Sequence, residues 1–253
     1  MVWPLIRRKS LETHAALTDT GKRHKHNEDA VVVIIPPDGA GWGFDLAAIV
    51  ADGVSGQAKA DAASTLAIDM FRATLSQPDN KPVEERLVIA SAAASAGILD
   101  LARREAGGVP VASTVVALVI SGSTATVGHV GNSRAYRLRN GSMEQLTEDH
   151  SVVAEGVRQG LIAPADARKH PMRSRISRAL GTPQADSMDT GKFEARTRDI
   201  FLLCSDGLHD VVDDAEIKKV ITEDVAGSAR RLIDLANAAG GPDNITVALY
   251  RVP

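Results

Sequence analysis

Phe44-Asp45-Leu46-Ala47-Ala48-Ile49-Val50-Ala51-Asp52-Gly53 is an apolar run of strand length that stops abruptly at an aspartate followed by a glycine. A continuous apolar run bounded in this way reads as a buried strand. Such a strand fixes the carboxylate at its own end, and the glycine, lacking a Cβ, lets backbone and solvent come close. The same device recurs at Phe201-Leu202-Leu203-Cys204-Ser205-Asp206-Gly207. Two strand-Asp-Gly ends in one chain predict two carboxylates converging on one ion cluster.

Working outward, residues 15–35 hold two apolar pieces, Ala15-Ala16-Leu17 and Ala30-Val31-Val32-Val33-Ile34-Ile35, on either side of a polar loop from Thr18 to Asp29. The second piece is rich in β-branched residues and stops at Pro36-Pro37-Asp38-Gly39, a turn signal. With the Asp52 strand these pieces predict a meander carrying a functional loop between its first two members. Beyond it the period becomes helical. Ala63, Leu66, Ala67, Met70, Phe71 and Thr74 share one face up to about Leu75, and Leu87, Ala90, Ala94, Ile98 and Leu101 share a face after Pro82. Gly107-Gly108 marks the end of that second helix.

Residues 113–139 read as three consecutive strands, with turns at Ser121-Gly122 and Gly131-Asn132 and a hairpin dipeptide, Asn140-Gly141, closing the third. Residues 150–190 are irregular and polar with short helical pieces, a length that marks a lid or flap. The Asp206 strand follows, then helices near Asp214–Ile221 and Ala226–Ala239, and a last strand over Asn244–Arg251. There is no linker, repeat or low-complexity tract. Strands in runs and helices in pairs predict an α+β fold, one domain over residues 1–253 with residues 1–12 as an N-terminal tail.

The composition is that of an ordinary globular chain of 253 residues, with 44% hydrophobic and 24% charged residues, long enough for a substantial core. A net charge of −3 gives no reason to expect nucleic acid or an anionic membrane as partner. The lone cysteine, Cys204, excludes an intramolecular disulfide and suits a reducing compartment. The basic residues Arg7-Arg8-Lys9 follow a short apolar piece, the wrong order for a secretory signal, and no run approaches the roughly 20 apolar residues of a membrane span. A cytoplasmic protein is expected.

Four acidic positions stand apart by their neighbours: Glu28-Asp29 in the first loop, Asp52, Asp206, and Asp243 in Gly240-Gly241-Pro242-Asp243-Asn244. Each alone reads as a cap or turn residue. Together, delivered by strand ends and turns without cysteine or histidine partners, they suit Mg²⁺ or Mn²⁺. Two such ions activate a bridging water and neutralise a phosphoryl group at once. Other schemes fail on spacing. The position six after Cys204, where a cysteine phosphatase needs arginine, is Asp210, so Cys204 reads as a small core residue. Gly53-Val54-Ser55-Gly56 is not a nucleophile elbow, and Walker-type and dinucleotide glycine loops are absent. His24 and His26 read as solvated loop histidines.

Further motifs run through the chain in a fixed order: Asn27-Glu28-Asp29, Val50-Ala51-Asp52-Gly53 with Gly56, Ser113-Thr114, Gly128-His129-Val130-Gly131-Asn132-Ser133-Arg134, Thr147-Glu148-Asp149-His150-Ser151, Arg178-Ala179-Leu180-Gly181, Ser205-Asp206-Gly207 and Gly241-Pro242-Asp243-Asn244. From about Thr13 to the end the chain resembles a short bacterial member of the protein phosphatase 2C family, the metal-dependent Ser/Thr protein phosphatases. The resemblance implies a four-layer α-β-β-α sandwich, two antiparallel sheets face to face with helix pairs outside. It implies that Asp52 bridges two Mn²⁺ or Mg²⁺ ions, Gly53 lends its carbonyl, Asp206 and Asp243 hold the first ion, and Glu28 and Asp29 serve the second. It implies in-line attack by a metal-bridging water without a phosphoenzyme, and a flap over about residues 150–181. Its partners would be Ser/Thr-phosphorylated proteins, including a Ser/Thr kinase or its substrates, met by a monomer.

The chain departs from the family pattern at three places. The phosphate-gripping arginine is replaced by His24, between Arg23 and Lys25, and histidine lacks the permanent planar fork of arginine, so either Arg23 takes over, the favoured reading, or His24 holds phosphate weakly and in a pH-dependent way. Asn132 stands where the family has an aspartate that helps hold a third ion, which predicts a weak third site or none. Val54 replaces a histidine found beside the leaving group in some members. His24 and Asn132 motivate one alternative, a pseudophosphatase that binds phosphoproteins without turnover. A hydrolase of small phosphate esters is the other.

Overall fold

The computed structural model describes residues 12–54, 59–105, 107, 109–182 and 187–253. The expected tail over residues 1–12 lies outside them except for Glu12, as does Gly56 of the Asp52 motif.

The strand read from Leu46 runs over Leu46–Asp52 (β3), and its sequence explains its place. Ala47, Ile49 and Ala51 face a core shared with two helices, while Leu46, Ala48 and Val50 face a second sheet. Burial on both sides is what makes the run apolar at every position instead of alternating. β3 lies between β2 (Asp29–Ile34) and β4 (Val115–Ser121), in a sheet completed by β5 (Thr124–Val130) and β8 (Asp189–Glu194), in the order β2-β3-β4-β5-β8. The other sheet has the order β1-β10-β9-β6-β7, formed by β1 (His14–Asp19), β10 (Ile245–Arg251), β9 (Ile200–Cys204), β6 (Arg134–Arg139) and β7 (Ser142–Gln145). Every strand pairing is antiparallel.

Three cores separate four layers. α1 (Ala60–Leu75) and α2 (Val83–Glu105) cover the first sheet through Phe71, Leu75, Leu87 and Ile98. The sheets meet through Val50, Leu118, Phe201, Leu203 and Tyr250. The second sheet is covered by α5 (Asp206–His209), α6 (Asp214–Val220) and α7 (Val225–Ala238) through Leu208, Ile217, Leu232 and Ile233. The α-β-β-α sandwich expected from the sequence is the fold observed.

Three local expectations need correction. β1 and β2 do not form a meander: β1 pairs with β10 and β2 with β3, so the loop between them crosses from one sheet to the other. β6 likewise leaves β5 and joins the other sheet, so the Gly131-Asn132 turn is a crossover. The irregular stretch ends in β8, a strand that the sequence reading left out, and contains α3 (Val152–Arg158) and α4 (Pro164–Ala167). Both crossovers pass the same end of the sandwich, where β2 begins and β3 and β9 end.

Candidate metal centre

That end carries the acidic residues. Asp29 opens β2 and lies directly across the ladder from Asp52, the last residue of β3. Asp206 follows β9 as the first residue of α5, and Asp243 sits in the turn before β10. Asp52 faces Asp29, Asp206 and Asp243 together. Withdrawal from water and these three like charges hold its carboxyl well above the usual range. Burial pushes Asp29 up to about 6, against hydrogen bonds from Thr246 and Ser205 that favour its charged form. Burial and the charges of Asp210 and Asp243 push Asp206 up to about 7.

Glycine after each strand-end aspartate has a measurable reason. A Cβ on Gly53 would lie 2.2 Å from the Ala60 carbonyl oxygen, and one on Gly207 would lie 1.9 Å from that of Asn244. Backbone therefore packs against backbone at both aspartates, and Gly53 N–H reaches the Glu28 carbonyl at 3.0 Å.

Polar side chains then fix the carboxylates. Ser205 Oγ donates to Asp29 Oδ2 at 2.8 Å, and Asn132 Nδ2 donates to Asp206 Oδ2 at 2.9 Å. Asn244 organises the loop before β2: its Nδ2 donates to the carbonyls of Thr20 and His26 at 2.8 and 3.1 Å, and its Oδ1 accepts from Glu28 N–H at 2.7 Å. Sequence reasoning passed over Ser205 as part of a strand end and Asn244 as a turn residue. Their partners lie 176 and 216 positions away in the chain, so no local pattern points to them.

Of the remaining expected residues, His24 and Asn132 reach the centre. His24 Nε2 lies 3.3 Å from Asp243 Oδ1, so His24 turns toward the centre and is not a solvated loop histidine. Arg23 is exposed and has no ion-pair partner among the described residues. The Asn132 Oδ1 is buried without a hydrogen-bond partner. None of Asp29, Asp52 and Asp206 is ion-paired to a basic side chain among the described residues. An all-oxygen donor set of mutually repelling carboxylates with an orphaned amide oxygen beside it fits hard divalent cations.

Histidines occur in a separate cluster. His129 and His150 stack at 4.6 Å between ring centroids, and with Asp189 they bring three possible ligand atoms within 4.8 Å of one another. Arg178 Nη1, however, lies 2.9 Å from both His150 Nε2 and Asp189 Oδ1, so a guanidinium already serves as the cation there. The cluster ties both ends of the segment over residues 150–178 to β8. Arg134 in β6 holds Asp149, just before that segment, through two bonds of 2.8 and 2.7 Å. Ser174 Oγ donates to Asp210 Oδ2 at 3.2 Å, and Arg168 pairs with Asp213. A cavity of about 660 Å³ opens beside the centre, lined by Asn132, His209 and Asp210 together with Arg168 and Arg173. Cys204 is fully buried, with its thiol pushed up by burial, as a core residue should be.

Comparison with known proteins gives a consistent picture. A family model described as Protein phosphatase 2C matches residues 21–240. The serine/threonine protein phosphatase PstP of Mycobacterium tuberculosis is 38% identical over 243 residues, covering 94% of this chain; the chain spans 45% of that relative's length. The serine/threonine phosphatase stp of Listeria innocua is 35% identical over 238 residues, covering 92% of each chain. The crystal structure of the PstP catalytic domain in complex with two manganese ions superimposes with a TM-score of 0.81 at 33% identity, over 95% of this chain and 98% of that one. No helix among the described residues is long and apolar enough to cross a membrane.

Proposed function

The chain belongs to the protein phosphatase 2C family, and from that premise we propose that it is a Mn²⁺- or Mg²⁺-dependent phosphatase of phosphoserine and phosphothreonine in proteins. The observation that carries this reading is the crowding of Asp29, Asp52, Asp206 and Asp243 at one end of the sandwich, with no Lys or Arg among the described residues ion-paired to any of them and only His24 in contact with Asp243. Asp52, which faces the other three, is the bridging residue. Asp206 and Asp243 hold one ion, Glu28 and Asp29 the other, and Gly53 contributes its carbonyl. Ions bound there neutralise phosphoryl charge and lower the pKa of a coordinated water.

The protein's own groups set the geometry. Ser205 and Asn132 each occupy one carboxylate oxygen and so orient the other. Asn244 holds the loop that brings Glu28 and Asp29 to Asp52. Arg23 is the phosphate grip, because His24 is engaged with Asp243 while the Arg23 guanidinium is open to an incoming phosphate. The Oδ1 of Asn132 is available to a third ion but brings no charge, which keeps that site weak. The substrates are phosphoproteins, a Ser/Thr kinase or its targets among them, and the setting is the cytoplasm. Both alternatives are weaker, since a binding-only module has no need of all the carboxylates and a small-ester hydrolase has no need of the flap.

Hydrolysis of a phosphothreonine peptide with Mn²⁺, with chelator, and by Asp206→Ala tests the reading. We expect activity that requires the metal and falls by about a hundredfold or more in the variant. A folded, Mn²⁺-binding protein that leaves the peptide intact would sink it.

A further inference from the structure

The loop that brings Glu28 and Asp29 to the centre also carries Lys22, Arg23 and Lys25. All three are exposed, and none has an ion-pair partner among the described residues, although the chain as a whole is net negative. The loop is not free to disperse these charges. Lys22 N–H bonds the Gly241 carbonyl at 2.8 Å, and the Lys22 stem lies against Gly241, two residues from Asp243. Asn244 grips the loop at Thr20, His26 and Glu28, and Asn27 Nδ2 bonds Thr18 Oγ1 at 2.7 Å. Like charges pinned within four residues repel one another, a cost that a bound anion removes. One of the three, Arg23, is assigned to the reacting phosphate above. Lys22 and Lys25 are left beside it on the same loop, exposed, where surface charges act over a Debye length of about 8 Å.

We infer that Lys22 and Lys25 select phosphoproteins whose target residue is flanked by further negative charge, either Asp and Glu side chains or a second phosphate. This rests on the proposed phosphatase reading and adds the class of sequence it prefers. Charge of this kind acts mainly on encounter and KM and is screened by salt.

The test uses the full chain with Mn²⁺, a phosphothreonine peptide with Glu and Asp flanks, a matched peptide with Ala flanks, and p-nitrophenyl phosphate, which has no flank. We expect kcat/KM to favour the acidic peptide by roughly tenfold at low salt, mostly through KM, and the preference to shrink in high salt. Lys22→Gln with Lys25→Gln should erase the preference while leaving p-nitrophenyl phosphate turnover unchanged. Equal kcat/KM for the two peptides, or a preference that survives in the double variant, overturns the inference while leaving the phosphatase reading intact. If no phosphate ester is hydrolysed, the phosphatase reading fails instead. Anisotropy of the labelled peptides then decides the inference: tighter binding of the acidic one, lost in the double variant, upholds it, and equal binding overturns it.

Discussion

Asn132 donates its Nδ2 to Asp206 Oδ2 at 2.9 Å while its own Oδ1, equally buried, has no hydrogen-bond partner. An asparagine at this position does what an aspartate cannot, which is to donate to a carboxylate already crowded by Asp210 and Asp243. Asn132→Asp replaces the donor with a second anion against Asp206. The metal-free protein should lose about 1–3 kcal/mol of stability, and Mn²⁺ should restore more than it does in the wild type. Thermal melts of both proteins in chelator and in Mn²⁺ check this; equal melting points in chelator would refute it.

Asp206 supplies a second prediction, with a sign fixed by linkage. Its folded pKa of about 7 lies above the ordinary 3.8. The protonated form is therefore favoured in the folded state, and the stability this gives is present below pH 3.8 and lost as pH rises through 7. Asp206→Asn cannot ionise. It should stabilise the metal-free protein at pH 8, on the order of a few kcal/mol, and much less at pH 4. Adding Mn²⁺ should reverse the order, because the wild type gains and the variant does not. A variant less stable than wild type at pH 8 in chelator would count against the electrostatic account.

Gly207→Ala tests the close approach of α5 to the turn before β10. The added methyl would start 1.9 Å from the Asn244 carbonyl oxygen and 3.5 Å from the Asp243 Cβ, so the turn must move. Asp243 and the loop held by Asn244 move with it. Mn²⁺ affinity, read by calorimetry, should fall at least about tenfold, since displacing the groups that orient a metal's ligands alone costs that much. Unchanged affinity would mean that the turn shifts without carrying the ligand along.

These residues also mark how far the sequence could be read. β3 and β9 were legible because each is apolar on both faces, and the strand-Asp-Gly ends announced Asp52 and Asp206. β8 was not, because Asp-Thr-Gly-Lys-Phe-Glu is an exposed edge strand that, among the described residues, pairs with β5 alone. That β1 and β2 separate into different sheets was equally hidden, since periodicity gives a strand's faces but not its partner. Within the site the carboxylates were visible as types. The donors that orient them, Ser205, Asn132 and Asn244, became visible only when distant segments were brought together.

His150 yields the last prediction, in the opposite direction from Asp206. Its Nδ1 accepts from Gly131 N–H at 3.0 Å, while its Nε2 lies between Asp189 Oδ2 at 3.1 Å and Arg178 Nη1 at 2.9 Å. Charging the ring would put a proton on Nδ1, donor facing donor. Burial, with the neighbouring His129 opposing a charge, pushes the ring down to about 4, although Asp189 pulls the other way. The folded pKa is thus below the ordinary 6.5, so this contribution is fully present above pH 6.5 and is lost as pH falls toward 4. Gln at this position keeps an acceptor for Gly131 and has nothing to titrate. Between pH 7.5 and 5.0 the wild type should lose about 2 kcal/mol more than His150→Gln, measured by denaturant unfolding with Mn²⁺ present throughout. The same comparison reports on the segment over residues 150–178, because His150 starts it and Arg178, on the same Asp189, ends it. Parallel pH profiles for the two proteins would mean that His150 is free to charge in place, and that the Gly131 contact does not hold its tautomer.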